Sequence, residues 1–162
     1  MCIRDRDVPT DRLSARAAAG LAELAIEEAQ AADRTAYRAL YLAQAEHLVA
    51  RAGRTRPDWG IADLLAARLS FARQGKAEPT GLRALAASYR GAPFLFTAAR
   101  WRVAYAVLGW GQLDLATRRA VIAEAVWACS FDGGLRREFE LILGDSPAAL
   151  AFQLALDRTR GA

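Results

Sequence analysis

Apolar positions along this chain recur every three or four residues and almost never every two. That period belongs to helices with one buried stripe, not to strands. The first such segment covers 11–31, with Thr10 as N-cap after Pro9 and a stripe of Leu13, Ala17, Leu21 and Leu24. Gly20 lies inside it and points to a close helix contact. A second segment covers 35–52, faced by Tyr37, Leu40, Tyr41, Leu48 and Val49 and stopped by Gly53. No Gly or Pro separates these two, so one bent rod fits the pattern as well. The third, 58–74, follows the loop Arg54–Asp58, carries Ile61, Leu64, Leu65, Leu69 and Ala72, and ends at Gly75. The fourth, 80–90, carries Leu82, Leu85, Ala86 and Tyr89 before Gly91-Ala92-Pro93 closes it.

The second half continues in kind. Segment 94–108 aligns Leu95, Ala98, Trp101, Tyr105 and Leu108. Asp114 caps the next, which runs to Ser130 with Leu115, Ile122, Ala125, Val126 and Cys129 as its stripe. After the turn Asp132-Gly133-Gly134, segment 135–143 buries Leu135, Phe139 and Ile142. Ser146-Pro147 opens a last helix to about Asp157, with Leu150 and Leu154 inward. The pattern predicts an all-α fold of about eight helices in antiparallel hairpins. The Trp-rich stretch 91–130 stands at its packing centre, with the turn Gly109–Gly111 between its two helices.

Composition sharpens this picture. At 162 residues the chain fits a single domain, and its hydrophobic fraction of 54% is inflated by 38 alanines, which favour helix and let helices approach closely. The cations are 21 Arg against the single Lys76, and Asn is absent. That usage points to a GC-rich, bacterial genome before any need for arginine. A net charge of +4, with acids interspersed, therefore says little about an anionic partner. No apolar run approaches the ~18 residues of a membrane span.

Met1-Cys2-Ile3-Arg4-Asp5-Arg6 resembles a translated sequencing-adapter end of the kind left in an environmental assembly. Residues 1–6 are then a non-native scar, and 7–162 form one helical domain whose natural start lies upstream. Cys129 becomes the one genuine cysteine, which fits buried packing and leaves no intramolecular disulfide. The compartment stays open between cytoplasm and periplasm, and a membrane is expected only through a segment lost with the native N-terminus.

A repeat runs through the middle of the chain. Ala45, Val49, Ala52 and Pro57 share their spacing with Gly81, Leu85, Ser88 and Pro93, 36 residues on. Leu64, Phe71 and Gly75 stand at fitting offsets on the helix before the second set. On these residues the region 35–130 resembles tetratricopeptide (TPR) repeats, whose period is about 34. Arg68 departs from the small residue the family prefers. The third unit keeps only Ala123, Trp127 and Ser130, without the proline. The resemblance implies a short α-solenoid that offers a curved face to a protein or peptide.

Catalytic signatures are absent from the row. His47 is the single histidine, and one His with one genuine Cys cannot make a zinc site. Gly109-Trp110-Gly111 and Gly133-Gly134 follow no strand and match no phosphate loop. Arg100-Trp101-Arg102 and Arg118-Arg119 are the basic–aromatic clusters. With Trp101 on the apolar stripe, Arg100 and Arg102 are expected to flank it at the surface, and no nucleic-acid partner is expected. The reading is therefore a non-enzymatic, TPR-like scaffold with no cofactor and no metal, binding a protein or peptide partner, in an envelope-associated setting by analogy. Tyr37, Tyr41, Trp59, Arg100 and Trp110 are the candidate partner-binding residues. Two alternatives stand beside it: a small helical bundle with a ligand pocket or enzymatic activity, or a structural accessory of a membrane-anchored complex.

Overall fold

The computed structural model describes residues 12–160, the side chain of Arg160 aside, and among them every regular element is helical. The eight α-helices are α1 (Ala15–Ala31), α2 (Thr35–Thr55), α3 (Gly60–Gln74), α4 (Pro79–Gly91), α5 (Ala99–Leu108), α6 (Leu115–Phe131), α7 (Gly134–Leu143) and α8 (Pro147–Arg160). Short 3-10 turns at Phe96–Ala98 and Trp110–Gln112 precede α5 and α6.

Local chemistry sets most of the boundaries. Ser14, not Thr10, caps α1: its hydroxyl accepts the Ala17 N–H at 3.2 Å. Thr10 and Asp11 lie outside the described residues. Asp114 caps α6 as expected, accepting the Thr117 N–H at 2.6 Å. Pro79 and Pro147 take first-turn positions, where a missing N–H costs nothing. Gly75 ends α3 in the left-handed conformation at φ 68°. Gly53 does not end α2, which continues to Thr55. The chain breaks at Ala32, so α1 and α2 are two helices rather than one bent rod.

The first two hairpins are tight and antiparallel. Arg51, near the end of α2, donates from Nη2 to the Leu13 carbonyl at 2.7 Å, just before α1 begins. Gly60 at the start of α3 touches Gly91 and Ala92 at the end of α4 so closely that a Cβ on either glycine would strike backbone. The small residues of the repeat lie at these contacts: Ala45, Ala52, Gly81 and Ser88 are all buried. Beyond α5 the pairing loosens. There α6 packs on α5, α7 and α8, while α5 also meets α7.

Several expected stripes are corrected. On α1 the buried residues are Ala18, Ala19, Ala22, Ala25, Ile26 and Ala29, while Ala17, Leu21 and Leu24 face out. Tyr37 and Leu40 of α2 are likewise exposed, as are Leu108, Leu115, Leu150 and Leu154. Ala148, Phe152 and Leu156 are the inward face of α8. The cause is the choice of alanine for the helix contacts. An alanine face allows a shorter axial separation, and no room then remains for leucine on that side. Gly20 was expected at such a contact but faces open space.

One buried ionic cluster crosses the second half. Arg102, expected at the surface, is fully buried with Glu124. Its Nη1 lies 3.2 Å from Glu124 Oε1 and donates to the Ala92 carbonyl at 2.9 Å. Its guanidinium carbon sits 3.5 Å from the centre of the Tyr89 ring. The Tyr89 hydroxyl donates to Glu124 Oε2 at 3.0 Å, and the Leu95 N–H donates to Oε1 at 2.8 Å. The cluster thus ties α4, the α4–α5 connection, α5 and α6 to one point. Burial raises the Glu124 carboxyl above its usual range, against the opposing pull of Arg102.

Three outcomes follow for stability in chemical denaturation. Gly20→Ala should raise it by about 0.5–1 kcal/mol, because the added methyl meets nothing and the helix gains propensity. Ala25→Leu should lower it by about 1–3 kcal/mol, whereas Leu24→Ala should cost less than about 1 kcal/mol. Glu124→Ala should cost about 3–5 kcal/mol by leaving Arg102 buried without its counter-ion, and Arg102→Met/Glu124→Leu should recover much of that loss. A Glu124→Ala loss below about 1 kcal/mol would mean the pair is not buried in solution.

Candidate functional site

An apolar surface concavity follows α6. Its first part, about 740 Å³, is floored by Ala123, Val126 and Leu156 and edged by Phe94, Trp127 and Thr159. Its second part, about 680 Å³, is lined by Leu115, Ile122, Ala151 and Leu154, with Trp110 and three arginines around them. Ala123 and Ala155 belong to both parts. The N-terminal residues Leu115 and Pro147 share one part, and the C-terminal residues Ser130 and Thr159 share the other. So α6 and α8 run side by side in the same sense, and the two parts make one groove between them. At a 1.5 Å rise per residue, the 17 residues of α6 give it a length of about 25 Å.

One end of the groove is aromatic. Phe94 and Trp127 lie 5.3 Å apart between ring centres, Phe96 and Trp127 6.3 Å, Trp127 and Phe131 5.0 Å, and Phe96 and Phe131 6.2 Å. Phe131 is 67% exposed, and Phe94 and Phe96 are each 44% exposed. Three exposed rings gathered on the half-buried Trp127 are unusual on a surface whose cores are built from alanine. The backbone at Phe94 also stands at φ 61°, the left-handed region that a phenylalanine rarely enters. That pose holds because the next residue, Leu95, is hydrogen-bonded to Glu124. The buried cluster therefore seats the aromatic ledge.

The other end is basic. Arg118 lies 5.8 Å from the Trp110 ring centre and donates from Nη2 to the Gly111 carbonyl at 3.1 Å. Arg119 lines the same end, and Arg158, on the last turn of α8, lies next to Thr159 of the other part. No aspartate or glutamate lines either part of the groove. Arg136, at the aromatic end, is neutralised by Glu140 at 2.9 Å. Cys129 lines the same end, and burial pushes its thiol up, away from the thiolate form.

Of the residues singled out in the sequence, only Trp110 lies in this groove. Tyr37 is exposed on α2 with Arg34 5.9 Å from its ring, and Tyr41 is half-buried on the same helix. Trp59 caps the start of α3, packed against the α1–α3 core with Arg56 5.2 Å from its ring. Arg100 is ion-paired to Glu138 of α7 at 2.7 Å. The structure does not bring these four to the groove. Trp101 stacks on Tyr105 at 4.9 Å and meets Phe71 edge-on at 6.5 Å, a half-buried packing role. His47 is exposed on α2. Phe94, Phe96, Phe131 and Arg158 were missed because each sits near an element end, where the helical period no longer says which way a side chain points, whereas Arg118-Arg119 already stood out as a basic pair.

Among the described residues no three of His, Cys, Asp or Glu gather as metal ligands would, and no helix is long and apolar enough to cross a membrane. No family model matches the chain, and neither do curated proteins or solved structures.

The packing role of Trp101 has a measurable size. Trp101→Ala should cost about 2–3 kcal/mol in a urea melt, below the ~3–5 kcal/mol of a fully enclosed ring. A loss under about 1 kcal/mol would instead make Trp101 a free surface ring.

Proposed function

We propose that the chain is a non-enzymatic, TPR-like binding module that holds a peptide or protein segment in the α6–α8 groove. The supporting observation is the open ledge of Phe94, Phe96, Trp127 and Phe131 at the mouth of a continuous apolar channel. Rigid aromatic anchors beside a desolvated groove supply most of the binding energy in protein recognition. The buried repeat positions Ala45, Ala52, Gly81 and Ser88 support the TPR-like part of the reading, since small residues serve there to bring paired helices together. The strained φ at Phe94 supports a binding role for its ring, because strain of about 1–3 kcal/mol is kept where function needs a side chain in one pose.

The test is selection of random displayed peptides on the full chain, followed by fluorescence anisotropy of the enriched sequences. Trp127→Ala/Phe131→Ala should weaken binding at least about tenfold while circular dichroism stays unchanged. Phe94→Gly relieves the left-handed backbone, so its stability should change by less than about 1 kcal/mol while its affinity falls. Tyr37→Ala on α2 should leave affinity intact. Peptides that bind the wild type and the Trp127→Ala/Phe131→Ala variant equally would refute the groove as the site.

A further inference from the structure

We infer that the outward flank of the α1–α2 hairpin is a docking surface for a second copy of this chain. The hairpin has two long flanks. One is covered by α3, and its polar contacts mark it. Glu23 and Glu27 of α1 pair with Arg68, Glu46 of α2 pairs with Arg73, and Arg38 of α2 donates to the Ala72 carbonyl. The other flank faces solvent, and it is apolar. At about 100° per residue, Leu21 stands about 160° around α1 from Glu23, with Ala17 and Leu24 next to it. By the same measure Tyr37 lies opposite Glu46 on α2, and Leu40 about 120° from it. Leu21, Leu24, Tyr37 and Leu40 are 42%, 53%, 52% and 63% exposed. Among the exposed positions from Thr35 to Ala50 there is no Lys or Arg, and the one carboxylate, Glu46, is turned to α3. A solvent-facing helix side is normally polar, and so is the outer side of a hairpin that closes a stack.

Gly20 identifies the partner. A glycine inside a helix costs about 1 kcal/mol against alanine, and a side chain here would meet nothing within the chain. It leaves a hollow on α1 one turn before the exposed Leu24. A hollow and a knob four residues apart on one helix complement themselves across a two-fold axis, where residue i meets residue j and j meets i. Two copies of α1 crossing antiparallel set Leu24 of each over Gly20 of the other, with Leu21 and Leu40 closed around that centre. The same pairing brings Arg16 level with Glu28 of the other copy, the one carboxylate on the outward side of α1. Size agrees with this. The 17 residues of α1 and 21 of α2 span about 25 and about 31 Å, and two helices each about 10 Å wide give a flank of about 500 Å². Two such flanks cover about 1,000 Å², the level a specific interface requires.

The experiment is sedimentation equilibrium of the full chain between about 10 and about 100 µM. Wild type should show twice the 17.6 kDa of one chain. Leu24→Glu/Leu40→Glu should weaken self-association at least about tenfold with an unchanged far-UV circular dichroism spectrum. Gly20→Leu should weaken it as well by filling the hollow, and leucine is the better helix former, so a fold defect would not explain the loss. Trp127→Ala/Phe131→Ala should stay paired, which separates this contact from the groove. A wild-type mass of one chain throughout that range would overturn the inference. So would a pair that persists in both Leu24→Glu/Leu40→Glu and Gly20→Leu. A pair lost only in Trp127→Ala/Phe131→Ala would also overturn it, by moving the contact to the aromatic ledge. Mass that climbs without limit as concentration rises would replace the closed pair with head-to-tail stacking, and overturn it too.

Discussion

The second half of the molecule hangs on one buried charge pair. Arg102 and Glu124 are both shut off from solvent; groups from α4, the α4–α5 connection and α5 meet the carboxylate, while Arg102 donates through Nη1 and leaves Nε and Nη2 without a hydrogen bond. Isolated in such a place, either charge would cost several kcal/mol. The carboxylate is therefore compelled to gather the Arg102 guanidinium, the Tyr89 hydroxyl and the Leu95 N–H, and no shifted packing of α4, α5 and α6 satisfies all three. Such a pair contributes alignment more than net stability. An apolar core made largely of alanine needs that alignment, because small smooth faces can slide past one another at little cost.

The groove is a consequence of the same alignment. Glu124 holds Leu95, and Leu95 holds the strained Phe94, so the aromatic ledge is seated from beneath by a group it never touches. On the opposite side of α6, Ala123 and Ser130 are exposed where the corresponding residues of α2 and α4 are buried. In the first two hairpins the small positions receive a partner helix. On α6 the buried face has rotated to Val121, Ala125 and Ala128, and the small positions open onto the groove instead. The small residues Ala123 and Ser130 of α6 are thereby accessible, where those of α2 and α4 are packed.

The helical period, the Gly75 and Ser146-Pro147 signals and the Asp114 cap placed most of the helices, because each rests on local backbone chemistry, while the Gly53 stop and a helical start at 94 did not hold. Gly81, one of the regularly spaced small residues, does lie where only a small side chain allows the contact with Tyr105, whereas the close approach of Gly60 to Ala92 had no signal in the sequence. Orientation was not legible. Leu21, Leu24, Leu150 and Leu154 look like core residues in a row of letters, yet alanine faces packed closer and turned the leucines outward. Arg102 looks like a surface cation, and only the arrival of Glu124 from 22 positions along the chain, with Tyr89 beneath it, makes its burial tolerable. Local periodicity fixes where a helix runs. Which of its faces is buried depends on how closely a partner can approach, and that is settled only when the helices meet.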